Sequence, residues 1–424
     1  MPYLLGYRCT TCQHTIPPKA DVYLCPQDGG NLEVLIDIER VRSEWSPEAI
    51  SASGDGSIWR YLPVLPVRDP GFPGTPLRSV GWTPLYRPAR LADALGMKDL
   101  WLKDDGRNPT ASFKDRASAV VVARALEIDV EVVITASTGN AGAALAGMAA
   151  AVGMPAVILA PQNAPQAKVA QLLMFGARVF LVEGSYDDAV VLSLEASKAF
   201  GWYCRNTGYN PFTAEGKKTA SFEICEQLTA ALDEGDGDRW QAPDAVFVSV
   251  GDGNIISGLH KGFKDLMELG WIERIPRLFG VQSEGSAAIA SAYQAGREEI
   301  LPVQADTLAD SISVNMPSDG LRALRAATQT DGAYVVVSDE AILAAMRDLA
   351  QSASVFAEPA GAAAYAGLMQ AVGQGMVEPD SRVVVLNTGN GLKDVRAAMQ
   401  AAGEPTVIAP QLDALRAALD GQGW

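Results

Sequence analysis

The chain has 424 residues, 48% of them apolar, and carries 34 basic against 50 acidic side chains, a formal charge of -16. Such a length suggests two or three domains with ample apolar material for a core, and an acidic balance without a basic stripe excludes nucleic acid and anionic membrane as expected partners. No stretch approaches the roughly 18 unbroken apolar residues of a spanning helix, and residues 1–9 hold neither a charged leader nor a long apolar run, so a cytoplasmic protein is expected.

Five cysteines, an odd number, argue against a disulfide framework. Cys9 and Cys12 form a C-x-x-C knuckle, and Cys25 opens Cys25-Pro26-Gln27-Asp28-Gly29-Gly30, where a zinc ribbon places its second pair. Asp28 stands in the fourth position. Three thiolates and a carboxylate could hold zinc; a ribbon that has lost its metal and is held by packing is equally open, and no metal ligand is assigned. Residues 1–40, which also contain His14, are read as a degenerate zinc-ribbon-like segment. Residues 63–76, rich in Pro and Gly, read as a wandering connection.

Next comes Asn108-Pro109-Thr110-Ala111-Ser112-Phe113-Lys114-Asp115-Arg116, a turn running into an alanine- and valine-rich helix. A lysine behind such a turn, packed by Phe113 and opening a helix, loses water, and its ammonium pKa falls into a useful range. Amines of this kind form imines with carbonyl compounds.

Beyond it, β-branched runs at 130–135, 156–160, 178–182, 245–250, 277–281 and 382–387 predict strands, and 141–151, 168–175, 187–199 and 219–231 predict helices. The alternation is that of an α/β fold with parallel strands and helices on both sheet faces. Ligands in such folds gather where strands end. At one such exit, Ala136-Ser137-Thr138-Gly139-Asn140-Ala141-Gly142 offers amides and hydroxyls to an anion at a helix start, and a carboxylate suits it. At another, Gly251-Asp252-Gly253-Asn254-Ile255 offers consecutive amides to a phosphate, provided that the Asp252 charge turns away to solvent. A third, Asn387-Thr388-Gly389-Asn390-Gly391, presents a hydroxyl. Such glycines also serve tight turns alone. There is no Walker or G-x-G-x-x-G fingerprint, which weakens nucleotide binding. The other histidine, His260, and Cys204 and Cys225 read as structural, and two histidines in all disfavour a Ser-His-Asp hydrolase.

Taken together, NPTASFKDR (108–116), STGNAG (137–142), GDGNI (251–255), EPAGAAA (358–364) and TGNGLKD (388–394) resemble the fold-type II pyridoxal phosphate enzymes, the tryptophan synthase beta-like family, and within them the threonine synthase family. The similarity runs from about Gly81, in Gly81-Trp82-Thr83-Pro84-Leu85, to about Asp394. The resemblance implies two parallel α/β domains with pyridoxal 5'-phosphate in the cleft between them. Residues 41–105 and 205–424 would form the large domain, and 106–204 the smaller one that could close over substrate. It implies that Lys114 bonds the cofactor aldehyde and then shuttles protons, and that Asn140 meets the ring hydroxyl. Ser137, Thr138, Gly139 and Asn140 would hold the substrate carboxylate, and Gly251, Asp252, Gly253, Asn254 and Ile255 the cofactor phosphate. Thr388 would face the pyridine nitrogen, where a hydroxyl, unlike an aspartate, favours elimination and replacement over transamination. The substrate would be a small amino acid, O-phosphohomoserine, converted with water to threonine and phosphate by a homodimer.

The chain departs from that family at Asn210-Pro211-Phe212-Thr213-Ala214, neutral where many members carry a basic residue for the substrate phosphate. Lys217 or Lys218 either substitutes for it or is a solvated charge at a helix start. Two other readings therefore stand beside the first: an eliminating lyase or synthase acting on serine, threonine, diaminopropionate or phosphoserine, and a noncatalytic binding protein that keeps the fold.

Overall fold

The computed structural model describes residues 3–19, 22–164, 166–233 and 238–421. Near the start, Leu4–Cys9 lies between Thr15–Ile16 and Leu32–Ile36 in a three-stranded antiparallel sheet. The rest is built on two further sheets. The larger has six strands, in the order Ala333–Val337, Arg277–Ser283, Ala245–Ser249, Arg382–Asn387, Asp99–Asp104 and Leu85–Tyr86, parallel except for the last pair. The smaller has four parallel strands, Arg178–Val182, Ala156–Pro161, Val133–Ala136 and Tyr203–Cys204.

Alternation along the central strands of the large sheet fills two separate cores. Val246, Val248, Leu278 and Val384 face one, Phe247, Phe279, Val383 and Val385 the other. Phe247 stacks on Phe279 with ring centroids 4.4 Å apart. The helix Pro359–Gly373 covers the second face, and Phe212–Leu232 and Asn254–Leu269 lie over the first. All the predicted strands occur, Arg178–Val182 and Arg382–Asn387 with the expected ends and the other four with shifted ones. The first begins at Val133 rather than 130, because Asp129 turns into the left-handed region (φ 54°) and the Val130 amide still donates to the Ala125 carbonyl of the preceding helix.

Four strands of these sheets escaped the pattern: the two-residue Leu85–Tyr86 and Tyr203–Cys204, and the longer Asp99–Asp104 and Ala333–Val337. Asp99–Asp104 carries charges that read as surface, yet Lys103 is fully buried and meets Glu223 at 2.7 Å. Ala333–Val337 lies at the sheet edge.

The predicted helix at 219–231 begins earlier, at Phe212, whose amide donates to the Asn210 side chain at 2.9 Å. It runs between the helices Lys114–Glu127 and Asn254–Leu269. Small residues allow this crowding: a Cβ on Gly216 would fall 2.0 Å from the Arg116 carbonyl oxygen, and one on Gly258 2.7 Å from Lys217 Cβ. A helix buried on all sides shows no amphipathic period. Its crowding also corrects the expectation of solvated lysines, since Lys217 and Lys218 are both wholly buried. Lys218 is neutralised by Glu215 at 2.7 Å and Asp265 at 2.8 Å.

Candidate active site

Strand exits from both the larger and the smaller sheet converge on a cavity of about 750 Å³, a size suited to a cofactor and a small substrate. Every residue that the resemblance gives to the cofactor or the substrate carboxylate lines it: Lys114, Ser137, Thr138, Gly139, Asn140, Gly251, Asp252, Gly253, Asn254, Ile255 and Thr388.

Lys114 is the first residue of the helix Lys114–Glu127. The chain reaches it through a strained step at Ala111 (φ 65°), fixed by the Ala111 amide donating to the Asn108 carbonyl at 2.8 Å and by the Phe113 amide donating to the Thr388 carbonyl at 2.9 Å. Thr388 is thereby tied to the lysine by backbone. Beneath them Arg116, fully buried, is neutralised by Asp105 and Glu223, each at 2.5 Å. Burial, and then Arg205, lower the Lys114 ammonium to about 8 against the opposing pull of Glu358 and Asp252. No described residue accepts a hydrogen bond from its Nζ.

The loop 137–140 and the loop 251–254 share one physical feature. The helices Asn140–Ala151 and Asn254–Leu269 both start without a side-chain cap, which leaves their first amides and the positive ends of their dipoles to an external anion. Gly253 has φ 89°, and a Cβ there would stand 2.6 Å from Ala323 Cβ, so the loop backbone is pressed against the scaffold on one side and open to the cavity on the other. Asp252 does not simply face solvent: its carboxylate accepts from the Ser318 amide at 3.3 Å and hydroxyl at 3.0 Å, which draws the charge off the loop amides. Asn254 is fixed by Asp319, which accepts from its Nδ2 at 2.8 Å.

Three further polar groups line the cavity; the sequence offers Lys217 as a stand-in for the missing phosphate-binding base and gives Arg205 and Glu358 no role. Lys217 donates to Asn254 Oδ1 at 2.5 Å, and its ammonium is held well below the ordinary lysine range by burial, then by Lys114 and Arg205. Arg205, just beyond the strand Tyr203–Cys204, is fully buried; its Nε donates to Ser118 at 3.2 Å and its Nη1 to Thr207 at 2.6 Å, while Nη2 has no partner. Burial lowers it to about 10. Glu358, at the start of Pro359–Gly373, accepts from Asn140 Nδ2 at 2.7 Å, and burial raises its carboxyl against the pull of Lys114. Lys217 had a signal, in the stretch after Asn210-Pro211, and Glu358 had one within EPAGAAA; an isolated arginine ahead of Asn-Thr-Gly offers none.

A buried guanidinium with an orphaned donor, two uncapped helix starts and an unengaged amine form a donor set for a doubly anionic ligand bearing a carbonyl. Pyridoxal 5'-phosphate fits that description: an aldehyde for Lys114 and a phosphate for the loop 251–255.

Comparison with known proteins gives the same direction. Residues 77–389 match the family model described as pyridoxal-phosphate dependent enzyme. A threonine synthase of Methanocaldococcus jannaschii is 38% identical over 96% of this chain and 98% of its own, and one of Methanosarcina acetivorans is 36% identical over 98% of both. Among solved structures, the processed form of threonine deaminase isoform 2 from Solanum lycopersicum superimposes with a TM-score of 0.66 at 23% identity, covering 82% of this chain and 88% of that one. Diaminopropionate ammonia lyase from Escherichia coli gives 0.63 at 18% identity over 86% and 91%, a likeness of fold alone.

Proposed function

Because the chain belongs to the pyridoxal-phosphate dependent enzymes, and within them to the threonine synthase family, we propose that its cavity converts O-phosphohomoserine and water to L-threonine and inorganic phosphate. Pyridoxal 5'-phosphate is its cofactor. When bound, the cofactor supplies an electron sink joined to the substrate's amino group, so that a proton can leave Cα.

The remaining work falls to side chains. Lys114 Nζ holds the cofactor aldehyde; once released, it takes the Cα proton, a role for an amine that is neutral for much of the time near pH 8. The amides of 137–140 hold the substrate carboxylate, and those of 251–255 the cofactor phosphate. We assign Asn140 to the ring hydroxyl, with Glu358 as the partner that keeps its amide oriented. Thr388, which lines the cavity, would face the pyridine nitrogen, and its hydroxyl would leave that nitrogen without the anion needed to hold a proton there.

The observation carrying the substrate assignment is Arg205, whose Nη2 is a buried donor without a partner. Leaving such a charged group unpaired costs stability, which a ligand phosphate would recover. Arg205, seconded by Lys217, takes the place of the basic residue missing after Asn210-Pro211. A homodimer working in the cytoplasm belongs to the same proposal. Free thiols at all five cysteines accord with a reducing compartment, and Leu173 and Met174 at the end of the helix Gln166–Met174 are exposed, as are Phe180 and Leu181 on the small sheet's edge strand, where a second copy could cover them. No helix among the described residues is long and apolar enough to cross a membrane.

The test is to supply holoenzyme with O-phosphohomoserine and measure phosphate and threonine, beside keto acid from serine and threonine. Equal release of phosphate and threonine is expected. Keto acid from the unphosphorylated amino acids, without phosphate release, would replace this reading with an eliminating lyase.

A further inference from the structure

The amino-terminal sheet contains a second group of ligand atoms, outside the cavity. Cys9 ends the strand Leu4–Cys9, Cys12 follows in the turn, and Cys25 and Asp28 come from the turn that leads to Leu32–Ile36. Their sulfur and carboxylate atoms all lie within 4.8 Å of one another. The separations are informative. A tetrahedral zinc ion with Zn–S bonds of about 2.3 Å and a Zn–O bond of about 2.0–2.2 Å sets its ligand atoms about 3.5–3.8 Å apart. Here Cys12 Sγ and Cys25 Sγ are 3.7 Å apart, and Cys9 Sγ lies 3.3 and 3.5 Å from the two oxygens of Asp28.

The backbone is shaped to this arrangement. The amides of Thr11 and Cys12 both point at Cys9 Sγ, at 3.4 Å each, which is the turn that stabilises a thiolate as metal ligand. Asp28 Oδ1 takes the Gly30 amide at 2.9 Å. Gly30 has no room for a side chain: a Cβ there would come within 2.9 Å of Cys9 Sγ and 3.1 Å of Asp28 Oδ1. All three cysteines are free, so none is committed to a disulfide.

We propose that Cys9, Cys12, Cys25 and Asp28 bind one zinc ion as a closed, structural site. Binding releases the thiol protons to solvent and leaves three thiolates and one carboxylate on the ion. The site bears on the cavity through Asn31, which follows Gly30: its Nδ2 donates to the Gly208 carbonyl at 2.5 Å and to the Ser318 carbonyl at 3.1 Å. Ser318 is the residue that holds Asp252. The metal thus fixes the turn whose asparagine braces the back of the anion loop.

Elemental analysis of full-length protein, purified under reducing conditions without chelator, should find about one zinc per chain. Replacing zinc with cobalt(II) should give the intense visible bands of a tetrahedral thiolate site. Cys12→Ser with Cys25→Ser should lose the metal; should that variant fail to fold, Asp28→Ala, at an exposed position, should show weakened retention against a chelator. Less than about a tenth of a zinc per chain after equilibration with zinc, or a Cys12–Cys25 disulfide in the reduced preparation, would overturn the proposal.

Discussion

Lys114 and Lys217 share one cavity and both lose protonation free energy to burial, yet their surroundings set them apart. Lys217 spends a hydrogen bond on Asn254 at 2.5 Å, whereas Lys114 Nζ is engaged by no described residue. A neutral, unengaged amine is the one that can attack a carbonyl. With a folded value lowered to about 8, the neutral fraction of Lys114 grows as pH rises through 8. The rate at which apoprotein binds the cofactor, followed by its visible absorbance, should therefore climb between about pH 7 and pH 9 and then level; a flat profile would assign the reaction to another group. Arg205 makes a separate prediction. Arg205→Met removes a charge-assisted contact of about 1.5–3 kcal/mol, so KM for O-phosphohomoserine should rise roughly ten- to a hundredfold while cofactor affinity changes little. Equal losses in both would place the guanidinium on the cofactor phosphate instead. The lysine was legible in the sequence because its neighbours form a motif. Arg205 was not, because what makes it special is one buried donor, Nη2, left without a partner in three dimensions.

At the scale of elements, the proposed anion binding rests on the two uncapped helix starts. Gly253→Ala would put a side chain into a left-handed position and against Ala323 Cβ, forcing the loop out of register with the cavity. Cofactor dissociation constant should rise by about tenfold or more, corresponding to roughly 1.4 kcal/mol or above, with thermal stability falling as well; unchanged cofactor binding would mean that the loop amides do not hold it. The helix that follows contains His260, buried and lowered to about 3, chiefly by burial and then by Lys264. The sign is fixed by linkage: below pH 6.5 the unfolded chain takes up a proton that the folded one refuses, so stability contributed by the neutral imidazole is lost as pH falls from about 6.5 towards 3. His260→Gln should flatten the fall in denaturation midpoint over that window, and an unchanged slope would contradict it. Strands and loops of this region were read correctly because apolar runs end in glycine. The first turns of Phe212–Leu232 and the strand Asp99–Asp104 were not, since their polar residues are satisfied inside the protein by partners distant in sequence, as Lys103 is by Glu223.

For the molecule as a whole, two sheets deliver their strand exits to one cavity, and a small ribbon braces it from behind. The alternation predicted parallel α/β sheets covered by helices, the resemblance implied two of them around a cleft, and the fold seen in solved relatives agrees with it. What sequence could not give was the joint between parts, such as Asn31 reaching Gly208 and Ser318 across the chain. The account stands on one bond, between Lys114 and the cofactor. Reducing the holoenzyme with borohydride, digesting it and mapping the phosphopyridoxyl group by mass spectrometry tests it directly. The mark should fall on the peptide containing Lys114 and on no other; its appearance on Lys217, or a protein left unlabelled, would contradict the assignment.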